Sequence, residues 1–147
     1  MKVPEEELKK FPVIIRNKFN KEIEFQDEVE FEYKNIIAYR CVTRKKEDSM
    51  AITKEDFKSN AERERRNIRG ESGDIEKKPE YYGVSLFEDK AQLEIRLQLP
   101  KRNKKIAKGE IYCGGGPILK GKDTHICWWL YENADVTGFK IENSEET

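Results

Sequence analysis

Seven residues, His125-Ile126-Cys127-Trp128-Trp129-Leu130-Tyr131, set the strongest limit on how this chain can fold. Alternate residues of an extended strand share a face. His125, Cys127, Trp129 and Tyr131 therefore line one side, and Ile126, Trp128 and Leu130 the other. The second side is wholly apolar and belongs in a core. The first is aromatic with polar tips, and two readings of it stand. In one, this is a central strand with both tryptophans packed and His125 bonded to a carbonyl. In the other, His125, Trp129 and Tyr131 form an exposed face on which a base or a nicotinamide ring stacks.

A strand of that kind needs other elements to cover it, and the rest of the chain supplies them sparingly. Charged residues make up 39% and hydrophobic ones 36% of 147 residues, so much of the charge must lie on solvated faces and in loops. Residues 4–11 read as a short helix, with a proline and three glutamates in its first turn. Residues 12–15 read as an apolar edge strand. Residues 22–33 alternate in two pieces, Ile23 and Phe25, then Val29, Phe31 and Tyr33, which predicts half-buried strands with an acidic outer face. Residues 36–42 are apolar on both parities apart from Arg40, a buried strand. Thr53 and Asp56 have capping-box spacing for a polar helix over 54–66. Residues 67–80 carry breakers and no period, which predicts a mobile loop. A strand over 81–87 follows, then a helix from the Asp89 cap to about Gln98, although Leu93, Ile95, Leu97 and Leu99 also alternate. Strands are expected at 106–113, 125–131 and 138–141, with a polar tail at 143–147. The expected fold is α+β: a single domain over 1–142, with one mixed, mostly antiparallel sheet of five to seven strands and two to three helices.

Composition bounds function. The net charge is zero, which removes any global pull toward nucleic acid. The acidic start of the chain has no apolar core of a signal peptide, and no apolar run reaches membrane-spanning length. Cys41, Cys113 and Cys127 are an odd count in strand-like contexts, which suits reduced thiols in the cytoplasm.

Candidate site residues fall in four places. Arg40 interrupts an apolar strand and must pair, for example with Glu110, or point into a cleft. The Gly114-Gly115-Gly116-Pro117 turn matches no dinucleotide or Walker signature. It is either a hairpin connection or, with Lys120 and Lys122, a loop gating a site. Cys41, Cys113, His125 and Cys127 supply the residue types of a Cys3His zinc set without its spacing, so no metal site is expected. A cysteine nucleophile on His125's own strand is excluded by distance, since residues two apart on a strand stand roughly 6.5–7 Å apart, which leaves a different cysteine brought to His125 by the fold. The basic segments, Arg63, Arg65, Arg66 and Arg69 and then residues 101–108, lack interleaved aromatics and read as solvated surface.

The order of Arg40 in Tyr-Arg-Cys, Ser85 in Gly-Val-Ser-Leu-Phe, and Glu110 or Glu132 later resembles that of ADP-ribosyltransferase-type NAD-binding domains. The resemblance implies that Arg40 holds NAD, Ser85 shapes the nicotinamide pocket and the acid orients the ribose. The Ser-Thr-Ser and Glu-x-Glu signatures of that family are absent.

Recognisable catalytic clusters are missing, so the leading expectation is a cytoplasmic protein-interaction or regulatory module. The acidic face at 22–32 and the basic segments would dock a protein partner or a second copy. No cofactor is expected under that reading, and NAD is the cofactor of the alternative. The alternative is an NAD-binding enzyme with a cleft around Arg40, Ser85 and His125, completed by Gly115 and Trp129; a small-molecule ligand fits that site. A nucleic-acid-binding module is the third reading.

Overall fold

A computed structural model of the chain describes residues 1–64 and 74–142. It shows a single α+β domain built on one six-stranded sheet. The strands are β1 (Ile36–Thr43), β2 (Val84–Phe87), β3 (Lys104–Ile111), β4 (Ile118–Lys120), β5 (His125–Trp128) and β6 (Lys140–Ile141). Their spatial order is β4-β5-β2-β1-β3-β6, and every pairing is antiparallel. Three α-helices accompany them: α1 (Glu5–Leu8), α2 (Val13–Lys18) and α3 (Lys90–Leu97).

The sheet is covered on both faces, as β5 requires. Ile126 and Trp128 pack with Val84, Leu86, Ala38, Val42, Ala107 and Phe139 in one cluster. Cys127, Trp129 and Tyr131 pack with Phe11, Phe19, Phe25 and Tyr82 in the other. Both tryptophans have no solvent exposure. Two large aromatic layers thus sandwich a strand of four residues.

The N-terminal third builds the second layer without strands. Phe11, Ile15 and Phe19 recur every fourth residue and are all buried, at 0%, 3% and 0% exposure. That spacing is one face of a helix, and residues 12–15 open α2 rather than forming an edge strand. Residues 22–33 are irregular, with turns at 22 and 27–28 and a bend at 31–32, and form no strand. Their strand-like backbone pairing reduces to isolated bridges, Phe19 with Ile23 and Glu30 with Ile118. Alternation there reports side-chain burial correctly: Ile23, Phe25 and Val29 are in the core. It does not report whether a neighbouring strand is present to complete a ladder.

The expected helix over 54–66 is shorter. A 3-10 turn over Lys54–Phe57 is closed by the foreseen capping box, in which Asp56 accepts from the Thr53 amide at 3.0 Å. Residues 65 and 66, with the first half of the expected loop at 67–80, lie outside the described residues, as does the expected tail at 143–147. The described part of that loop is ordered as 3-10 turns over Ile75–Lys77 and Pro79–Tyr82, with Ile75, Tyr81 and Tyr82 buried. Those turns delay the start of β2 to Val84. The ambiguous segment after Asp89 is helical: the Asp89 carboxylate accepts from the Ala91 amide at 3.0 Å, and Gln98 ends α3 in a left-handed conformation. Among the described residues no helix is long and apolar enough to cross a membrane.

Candidate functional site

The site arises where β1 and β2 part. Their register holds a single pair, Tyr39 with Phe87. Beyond it the Ser85 carbonyl has no strand partner on that side. Arg40 replaces one: its Nη1 donates to the Ser85 carbonyl at 2.9 Å and its Nε to the Asp56 carbonyl at 3.1 Å. The guanidinium also lies 5.7 Å from the centre of the Phe57 ring, within cation–π range. Burial, reinforced by the charge of Arg63, lowers its pKa to about 10, so Arg40 remains a cation at neutral pH.

The gap opens into a cleft of about 720 Å³ that reaches under α3 and the turn at residues 78–81. That volume is within the range of small-molecule sites. Ser85 is exposed to it, although its strand neighbours Val84, Leu86 and Phe87 are buried. Ser85 and His125 lie on adjacent strands and on one face, because Phe87 pairs with His125 and Ser85 with Cys127. Ser85 Oγ and His125 Nε2 are in hydrogen-bonding contact. Burial lowers the pKa of His125, and the charge of Arg96 adds to this against a smaller opposing effect of Glu80. The imidazole is therefore neutral at neutral pH, and acidification adds a cation to the cleft.

The lining is basic. Arg40, Arg63, Arg96, Lys101 and Lys104 border the cleft, as do Lys58 and Lys78. The acids on it are Glu55, Asp56 and Glu80. Two of these are already matched. Glu55 pairs with Lys58 at 2.8 Å, and Asp56 with Arg44 at 2.6 Å. The Arg44–Asp56 pair is bidentate, with a second bond of 2.7 Å, and both side chains are 9% exposed. Burial alone would raise the Asp56 pKa. The Arg44 hydrogen bond and the Thr53 amide, with the charges of Arg44 and Arg40, outweigh it and hold the carboxylate below its usual range. That depression stabilises the fold at pH values above the ordinary aspartate pKa, and the gain is lost as pH falls through the depressed value. Asp56→Asn leaves Arg44 partly buried without its counter-charge and is expected to destabilise the fold by about 3 kcal/mol, measured by urea unfolding at pH 7.

Three of the five residues singled out from sequence, Arg40, Ser85 and His125, meet at this cleft. Trp129 and Gly115 do not. Trp129 has no exposure and its Nε1 donates to the Pro79 carbonyl at 2.8 Å, so no ring face is open for stacking. Gly115 is buried in the core, where an added Cβ would come within 2.8 Å of Trp128. The middle of the segment expected to gate the site is part of the sheet: Ile118 has no exposure, and β4 pairs with β5. Arg40 makes no pair with Glu110, which bonds Asn35 at 2.9 Å on the β3 side of the sheet. Neither Glu110 nor Glu132 borders the cleft. The cysteines and His125 do not gather: among the described residues no cluster of three or more metal-ligating side chains occurs. Cys41 and Cys127 border the cleft as thiols whose pKa is raised by burial.

The contributors that sequence reasoning missed are Arg96 and the Arg44–Asp56 pair. Arg96 follows Leu93 by three positions on α3, and Leu93 is buried against the cleft wall. That spacing would have placed Arg96 beside it. No family model, curated protein or solved structure matches the chain.

Proposed function

We propose that the chain binds a small anionic organic molecule, of the phosphate- or pyrophosphate-bearing class, in the cleft between β2, α3 and the 3-10 turn at residues 54–57. The observation that carries this reading is the charge balance of the lining. Once Glu55 and Asp56 are matched by Lys58 and Arg44, Arg40, Arg63, Arg96, Lys101 and Lys104 face Glu80 as the remaining acid of the lining among the described residues. Several cations gathered around a concave site create a positive potential that an anion relieves, and arginine forks suit the oxygens of phosphate. NAD belongs to this ligand class. Docking of a protein partner and binding of nucleic acid both use broad surfaces, and a concave site of about 720 Å³ favours the small ligand over them.

Thermal unfolding tests the reading. Pyrophosphate, ADP or NAD at 100 times its dissociation constant would add about 2.7 kcal/mol of stability. In a domain of this size that raises Tm by about 5–10 °C. Adenosine, which lacks phosphate, is expected to give no shift. Equal shifts from adenosine and ADP, or no shift from any of the anions at low salt, would remove the proposal.

A further inference from the structure

We propose that Ser85 is a nucleophile with His125 as its general base, and that the cleft hydrolyses carboxylic esters of anionic molecules. The proposal rests on the anionic-ligand reading above and adds a reaction to it. Three observations carry it. First, Ser85 Oγ and His125 Nε2 are in direct contact across adjacent antiparallel strands, which is the arrangement an activated serine needs. Second, burial does not require the contact. Ser85 is exposed and water would satisfy its hydroxyl, so the pairing with the one histidine of the chain is not explained by a polar group seeking a partner in the core. Third, the site has a source of positive charge for an oxyanion: Arg40 is bonded to the carbonyl of Ser85 itself, and the charge of Arg96 is felt at His125. Among the described residues His125 Nδ1 has no hydrogen-bond partner, so the pair is a dyad rather than a triad. The neighbouring thiols do not compete as nucleophiles, since burial keeps Cys41 and Cys127 protonated.

The step balances without a redox partner. Ser85 Oγ forms a bond to the acyl carbon while His125 Nε2 takes the hydroxyl proton. The bond from the acyl carbon to the alcohol oxygen then breaks, and the alcohol leaves with that proton. Water attacks the acyl-serine with His125 again as base, releasing the acid and restoring the hydroxyl. The sum is ester plus water to acid plus alcohol.

A fluorophosphonate probe tests nucleophilicity directly, because the serine oxygen displaces fluoride and forms a stable phosphonyl ester. Peptide mass spectrometry of the labelled wild type is expected to place one adduct on Ser85. Ser85→Ala should abolish it, and His125→Gln should slow it at least about 100-fold, the usual weight of a general base. A carboxylate-bearing p-nitrophenyl ester should be cleaved faster than its neutral analogue, and Arg96→Glu should erase that preference. Absence of an adduct on folded wild type, or an adduct on another residue, overturns the dyad however the variants fold. The two readings fail separately. Calorimetric binding of pyrophosphate without labelling would leave the ligand site and remove the nucleophile. Labelling of Ser85 with no pyrophosphate binding, and no preference for the charged ester, would leave the nucleophile and remove the anionic specificity.

Discussion

Gly116→Ala is expected to destabilise the domain by about 4 kcal/mol or more, a large part of what holds a domain of this size together. An alanine Cβ at this position would stand 1.9 Å from the Trp129 carbonyl oxygen and 3.0 Å from the Tyr131 amide nitrogen. Both obstacles are backbone, so no rotamer change relieves them. The φ angle of +127° adds strain, since side-chain-bearing residues rarely adopt it. Relief would have to come from moving the strand, and the strand is tied on both sides of the contact. The Trp129 amide donates to the Pro117 carbonyl at 3.0 Å and the Tyr131 amide to Gly115 at 2.8 Å. The Tyr33 hydroxyl donates to the Gly116 carbonyl itself at 2.5 Å. Gly138→Ala is the control: nothing lies within 4 Å of its added Cβ, and the change should stay within about 0.5 kcal/mol. Urea unfolding of the two variants measures the contrast, and equal midpoints would contradict the packing described for the glycine turn.

Trp129→Ala is expected to cost about 3–5 kcal/mol, the range for removing a fully buried large aromatic residue. The ring meets Phe25 edge-on at 5.1 Å between centres, and its Nε1 bonds the Pro79 carbonyl. That bond ties the residue after β5 to the turn that forms one rim of the cleft. Trp129→Phe keeps most of the apolar volume but leaves the Pro79 carbonyl without its donor, and should cost about 1–3 kcal/mol. Chemical denaturation followed by far-UV circular dichroism reads both. A Trp129→Ala protein with wild-type stability would mean that the ring is not a core element and would restore it as a ligand-stacking residue.

The sequence conveyed this fold unevenly, and the reasons are physical. Alternation over residues 125–131 sorted the side chains into two layers correctly, because that pattern follows from strand geometry alone. The Asp89 cap and the Thr53–Asp56 capping box were also legible, since caps act within three residues of themselves. Residues 22–33 misled because burial every second residue does not disclose whether a neighbouring backbone is present to bond. The helical spacing of Phe11, Ile15 and Phe19 was in plain view but was obscured by the β-branched run at 13–15. Arg40, Ser85 and His125 were each singled out for separate reasons, as a cation in an apolar strand, a hydroxyl in a strand and the one histidine. Their convergence depends on β2 lying between β5 and β1, and strand order is a long-range property that no local pattern encodes. Trp129 fell out of the site for the same reason: it shares a face with His125, but the N-terminal layer, through Phe25, and the turn that starts at Pro79 seal it there.

Isothermal titration with pyrophosphate at low salt tests most directly the proposal that the cations lining the cleft hold an anion. Arg96 is the residue to reverse, because it is exposed and its charge reaches His125. The wild type is expected to bind one equivalent and to weaken steeply as salt rises, since partly exposed charges are screened. Arg96→Glu is expected to remain folded and to lose at least about tenfold in affinity, the effect of a difference near 1.4 kcal/mol. Binding that is indifferent to both salt and Arg96→Glu, or no heat of binding to a folded wild-type protein, would contradict the account.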